Sequence, residues 1–378
     1  MGLFDMFSKR KKPSSGIGAT AIGKTKIEGR SYTVHEGGVM VADPIPVQKR
    51  IKGLKPGPSG LYPHEVLMLS YAERFPVRGA EFQGFWWYQY GVKDPGRLLK
   101  DLVSRGYVCV GSTAQALANA KVPELKEACK ELGLKATGKK DDLIGRLSEH
   151  LGELESRGMF RERYYALTES GRRALDEEPY VPWAHANMRP EIGLTIWTIG
   201  EKVGGGGRQH WRDYQWGELN RAGIEQASAG DFGLYRNTRL AMCELLEEEG
   251  RTLDALRMAV EVELLDLSGA VNSFNASAAS AVIDEMMPYK TSSLRSAPGV
   301  IRKIKKLAKD AGMSDTNLDE FVATNAGELI GGAPMRVFTP EEVSRIVRLE
   351  IEGESGKLSR LYGSAKKRYL ESRQTRER

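Results

Sequence analysis

The run from Val122 to Leu147 (VPELKEACKELGLKATGKKDDLIGRL) constrains this chain more than any other stretch. Leu125, Ala128 and Leu132 recur at i, i+3 and i+7, which marks one face of a short helix, and Pro123 suits a first helical turn, where its missing N–H costs nothing. Gly133 fits the position just past a helix end that needs a left-handed backbone, and Leu134 can fold back on the helix it has left. After the loop Lys135-Ala-Thr-Gly-Lys-Lys140, the residues Leu143, Ile144, Leu147 and Leu151 line one face of a second helix. The spacing therefore predicts helix, extended turn, helix.

Glu-Leu-Lys, Leu-Gly-Leu, Thr-Gly-Lys-Lys, Asp-Leu-Ile and Arg-Leu follow one another in this stretch. That string resembles the SAP motif, a small helix-turn-helix hairpin known as a DNA-binding module, over about residues 118–151. The resemblance implies that Leu125, Leu132, Leu134, Leu143 and Leu147 are core, and that Lys126, Thr137, Gly138, Lys139, Lys140 and Arg146 approach a phosphate backbone. The chemistry agrees: Gly138 lets backbone N–H groups come close to a phosphate, and the second helix begins there with its positive dipole end. Residues 112–155 nevertheless hold seven Lys/Arg against eight Asp/Glu, so the module must sort its charges spatially to bind DNA. The alternative is a solvated Lys/Glu hairpin used for protein contacts.

A chain of 378 residues with 40% hydrophobic content and no long apolar run has the length for two or three domains and no segment that reads as a membrane span. The first residues, Met-Gly-Leu-Phe-Asp-Met-Phe-Ser, are too short for a secretory apolar region and lack preceding basic residues, so a cytoplasmic location is expected. Cys109, Cys129 and Cys243 are far apart and unaccompanied by metal-ligand spacing; all three are expected to be buried thiols. The net charge of +6 is uneven: residues 1–55 hold eleven Lys/Arg against four Asp/Glu, and residues 356–378 eight against two, which leaves the middle acidic. Such basic ends read equally as nucleic-acid-binding arms and as solubilising tails.

Residues 1–60 read as a flexible basic arm with one β-hairpin, Arg30–Val34 against Gly38–Ala42. Gly18-Ala-Thr-Ala-Ile-Gly-Lys-Thr25 spells a phosphate-binding P-loop, but such a loop needs a buried strand before it and a helix after it, and neither is predicted. From residue 61 to 178 the order changes to helices at 63–74, 81–90 and 94–106, a strand at 107–110, and a second strand leading into Leu167-Thr-Glu-Ser-Gly171. Leu102-x-x-Arg-Gly-Tyr-Val108 followed by Tyr165-Ala-Leu-Thr-Glu-Ser-Gly171 resembles the winged-helix superfamily, which makes the SAP-like hairpin (112–155) an insertion at the wing tip. In winged helices that bind DNA, the third helix enters the major groove, and here it would present Lys93, Arg97, Lys100 and Ser104; other members of that superfamily contact proteins instead. Trp86 and Trp87 are expected in the core.

Residues 179–230, with Pro179, Pro182, Pro190 and the run Gly204–Gly207, read as a connector; 231–355 as a helical domain; and 356–378 as a basic tail. The basic outer face of the helix at 298–311 is expected to be solvated. The expected class is mostly α: a winged-helix-like α+β domain with an inserted SAP hairpin, then an all-α C-terminal domain. No nucleophile–base pair, metal-ligand spacing or Gly-x-Ser-x-Gly turn stands out, and His35, His64, His150, His185 and His210 are dispersed. The sequence thus points to a non-catalytic, cofactor-free protein of bacterial or prophage type that binds double-stranded DNA. A structural adaptor that uses the hairpin and helical domain for protein contacts is the alternative, and a nuclease built from scattered carboxylates or a nucleotide hydrolase using Lys24 and Thr25 is a third reading.

Overall fold

The computed structural model describes residues 21–27, 30–35, 40–203, 210–269, 289–329 and 337–376, with Ile283 and Met287. The basic cluster Lys9–Lys12 and the Gly204–Gly207 run lie outside the described residues. The architecture is mostly helical, with eighteen α-helices among the described residues, none of them long and apolar enough to cross a membrane. The chain divides into two compact units, one made of residues 1–188 and 195–208, the other of 189–194 and 209–378.

In the first unit, strands β1 (Ala21–Ile27), β2 (Arg30–His35) and β3 (Met40–Ala42) form an antiparallel sheet in that order, one strand more than the expected hairpin. Lys24 and Thr25 of the P-loop spelling lie inside β1, paired with Thr33 and Tyr32. Beyond α1 (Val47–Arg50), helix α2 (Pro63–Ala72) packs against α4 (Pro95–Ser104), α9 (Glu169–Glu177), α10 (Tyr180–Ala186), α11 (Ile196–Val203) and strand β5 (Tyr165–Leu167). Every residue from Pro63 to Leu69 is buried, as in a helix surrounded by neighbours. Burial also holds His64 down at about 4, with Arg105 adding to the effect. Trp86 of α3 (Phe85–Tyr88) is fully buried and Trp87 half-buried.

Asp94 caps α4 by accepting the Arg97 N–H at 2.9 Å, and Leu99 and Leu102 seat the helix. β4 (Val108–Val110) then pairs antiparallel with β5, Val108 opposite Leu167. The Leu-Thr-x-x-Gly motif has a direct cause here. The Thr168 hydroxyl donates to Gly106 O at 2.7 Å and accepts the Gly171 N–H at 3.2 Å, and a Cβ on Gly171 would stand 2.2 Å from Tyr107 O. Cys109, expected to be buried, is exposed, because a two-stranded sheet leaves one face open.

Residues 112–163 leave the sheet and return to it at one point: the Gly111 N–H donates to Tyr164 O at 2.8 Å. They form α5 (Thr113–Asn119), α6 (Val122–Glu131), α7 (Lys140–Ser148) and α8 (Leu151–Ser156). The buried Thr113 hydroxyl, bonded to Glu155 and Arg163, pins their base, and Asn119 Nδ2 donates to Glu73 O at 2.8 Å.

The stretch 179–230, expected as a connector, is divided between the units. Helices α10 and α11 pack on α2, while α12 (Trp211–Ser228) packs on α13 (Phe232–Glu248). In the second unit α13 packs on α14 (Thr252–Ser268), which in turn meets α15 (Pro298–Asp310) and α16 (Asp315–Leu329). Helix α17 (Pro340–Glu352) and the 22-residue α18 (Ser355–Arg376) complete the unit. The basic tail is thus helical: Leu358, Tyr362 and Ala365, at i, i+4 and i+7, are fully buried beneath its charges. On α14, Glu263 is fully buried; the Ser296 hydroxyl donates to one carboxylate oxygen, and the other has no partner among the described residues. Burial raises its pKa to about 8.

Two outcomes follow. Replacing residues 112–163 by a two-residue turn should leave the first unit folding cooperatively, because the ends already meet; loss of a cooperative urea transition would show that the insertion is part of the core. Glu263 keeps its proton in the folded state to a higher pH than in the unfolded chain, so its share of stability is full below the ordinary carboxylate range and is lost as pH rises toward about 8. Glu263→Gln should therefore be more stable than the parent by a margin that grows from pH 5 to pH 8; a pH-independent difference in thermal midpoint would refute this.

Candidate nucleic-acid interface

The four inserted helices share one small core. Leu117, Ala120, Leu125, Ala128, Cys129, Leu143, Leu147 and Leu154 are buried together, with Leu132, Leu134 and Leu151 half-buried against them. The core assignments made from Leu125, Leu143 and Leu147 are matched, and Leu132 and Leu134 sit at its edge. The second helix ends at Ser148 rather than running through Leu151. The chain breaks at Glu149–His150 and restarts as α8, which brings Leu151 and Leu154 to the same core.

That core sorts the charges of α6. With Leu125, Ala128 and Cys129 facing inward, Glu124, Glu127 and Glu131 fall on one flank at i, i+3 and i+7, and Lys126 and Lys130 on the other at i and i+4, all five exposed. At 3.6 residues per turn the two flanks lie roughly 110° apart around the helix. The acidic flank lines a groove of about 390 Å³ with Ala116, Met159 and Phe160, while the basic flank faces none of these. Lys130 was missed in the sequence; its i, i+4 relation to Lys126 was the available signal.

The turn follows from local backbone demands. Gly133 has φ +67°, and the Leu134 N–H donates to Cys129 O at 2.7 Å, closing α6. Gly138 has φ +128°, and a Cβ there would meet Asp142 Oδ2 at 2.8 Å. Asp142 in turn accepts the Lys139 N–H at 2.8 Å. Lys139 is the N-cap of α7 and makes no side-chain cap bond, while its own N–H is held by Asp142; Thr137, Gly138 and Lys139 beside this helix start are all exposed. Asp141 and Asp142 in that first turn offset part of the helix's positive end.

Two residues expected at phosphates are otherwise engaged. Lys140 Nζ donates to Ala118 O at 2.8 Å, which ties α7 to the end of α5, and Arg146 donates to Lys135 O at 2.5 Å, which clasps the turn. Both are half-buried. The exposed candidates in the hairpin are thus Lys126, Lys130, Thr137 and Lys139, with the backbone at Gly138. Lys93, Arg97 and Lys100 form a separate exposed row beside Ser104, on the side of α4 opposite Leu99 and Leu102.

Residues 117–152 match the family model of the SAP domain, and the chain therefore contains a SAP domain, in general a DNA-binding motif. Comparison with curated proteins found no match.

Because Arg146 braces the turn, Arg146→Ala should destabilise the hairpin by about 1 kcal/mol, the scale of one exposed charged hydrogen bond. Amide exchange at Leu134 and Lys139, whose N–H groups bond Cys129 O and Asp142, should quicken; unchanged protection there would show that the clasp carries no weight.

Proposed function

We propose that the chain is a non-catalytic protein that binds double-stranded DNA through its phosphates, with Lys126 and Lys130 on α6 and Thr137, Gly138 and Lys139 at the start of α7 as the contact surface. The observation that carries this reading is the segregation of charge on α6. A module whose Lys and Glu nearly cancel presents Lys126 and Lys130 together on one flank of α6 and, on α7, an exposed helix start with no side-chain cap bond from Lys139. Point cations and backbone amides of this kind position a duplex without reading base edges, so little sequence preference is expected. Lys140 and Arg146 serve by holding the turn.

The first unit is further read as winged-helix-like. Support comes from its order of helices α2, α3 and α4, strand β4, the inserted hairpin and strand β5, and from the β4–β5 pairing. In that reading the row Lys93, Arg97 and Lys100 is a second contact, because the third helix carries it. The bacterial or prophage setting rests on the resemblance of this combined architecture. One observation favours the adaptor alternative: the groove that joins four glutamates and Arg161 to Met159 and Phe160 is net acidic and suits a basic, partly apolar protein segment.

The test is a salt titration of duplex binding. Replacing Lys126, Lys130 and Lys139 together by Gln should leave folding intact, since all three side chains are exposed, and weaken binding to unrelated duplexes about equally. The slope of log affinity against log salt should shrink by about 2 to 3, at roughly 0.9 per phosphate contact. A folded triple variant with unchanged affinity and slope would shift the assignment to the adaptor.

A further inference from the structure

Helix α15 in the second unit carries Arg302, Lys303, Lys305, Lys306 and Lys309, which the sequence alone presents as a uniformly solvated basic face. The fold divides them. Ile301, Ile304, Leu307 and Ala308 turn inward, which puts Lys303 and Lys306 on the flank facing Glu247 of α13. Lys303 Nζ and Lys306 Nζ each lie 2.7 Å from a Glu247 carboxylate oxygen, and Lys306 is also 2.9 Å from Asp310. Arg302, Lys305 and Lys309 fall on the other flank at i, i+3 and i+7; all three are exposed, and among the described residues none of them makes an ion pair.

This row is unfavourable for the folded protein by itself. Like charges at i, i+3 and i+4 repel. Lys309, in the last turn, is favourably placed against the helix's negative end, so the cost falls on Arg302 and Lys305, which make no ion pair among the described residues. Local choices that work against stability while the rest of a helix is consistent tend to mark a functional surface. The chemistry of the row limits what it can meet: three flexible cations with no apolar side chain among them recognise a repeating anion and offer nothing to the apolar core of a protein interface. At 1.5 Å rise per residue, seven residues span about 10 Å, the axial length of roughly three phosphates on one strand of a duplex.

We propose that Arg302, Lys305 and Lys309 form a second phosphate-binding surface, in the helical unit, which engages the backbone of double-stranded nucleic acid independently of the SAP hairpin. The chain then holds a duplex at two places, and the counterion-release contributions of both appear in its salt dependence.

The experiment uses the full chain and a labelled duplex of arbitrary sequence, titrated between about 50 and 200 mM salt. The variant carrying Arg302→Gln, Lys305→Gln and Lys309→Gln keeps good helix formers and should retain the parent's thermal midpoint. Its slope should shrink by about 2 to 3. Lys306→Ala, which removes one cation from the neutralised flank of the same helix, should change the slope by less than about half a unit. If the triple variant proves unstable, Lys305→Glu alone should reduce the slope by about 1 or more. An unchanged slope in a folded triple variant overturns the proposal, as does an equal loss per charge in Lys306→Ala, which would reduce the effect to net charge. The hairpin triple variant is measured alongside. Loss there alone removes this inference and keeps the SAP reading, and loss only in the α15 variant does the reverse.

Discussion

A short helix has one face to bury, and burying it decides where every charge on the remaining surface must stand. In α6 the inward turn of Leu125, Ala128 and Cys129 leaves a glutamate flank and a lysine flank, and in α15 the inward turn of Ile301, Ile304 and Leu307 leaves one flank tied to Glu247 and one without an ion pair among the described residues. Apolar burial is non-directional and far larger than any single surface ion pair, so it fixes the rotation of each helix and the charges follow. The candidate contact surfaces are consequences of packing.

The same packing separates cations that hold the structure from cations that remain available. Lys140 and Arg146 bond backbone carbonyls at 2.8 and 2.5 Å, and Arg236 reaches Asp266 at 2.7 Å in a half-buried pair. Such groups gain their partners by giving up water and are poorly placed to meet another ligand. Net charge conceals this division: a chain of +6 overall contains a nearly neutral hairpin with one strongly basic flank.

The hairpin is also set where it can carry a function without endangering the scaffold. Its two ends meet at the Gly111–Tyr164 hydrogen bond beside β4 and β5, its core is its own, and few polar contacts, such as Asn119 to Glu73, tie it back to α2. Binding residues on an excursion from a rigid framework can change while the framework keeps its packing.

The sequence by itself determined the helix-turn-helix, its leucine core, the αL position at Gly133 and the β4–β5 motif. Each of these is written in residues a few positions apart and follows from helical periodicity or from a backbone angle that favours glycine. Only the tertiary structure decided that Lys140 and Arg146 bond backbone carbonyls, because their acceptors, Ala118 O and Lys135 O, stand 22 and 11 residues away. It likewise made α2 a helix buried on all sides, exposed Cys109, and divided 179–230 between two units. It also turned the basic tail into a packed helix, since the stripe of Leu358, Tyr362 and Ala365 gains stability only once a neighbour covers it. Burial depends on what the rest of the chain brings alongside, and no local pattern records that.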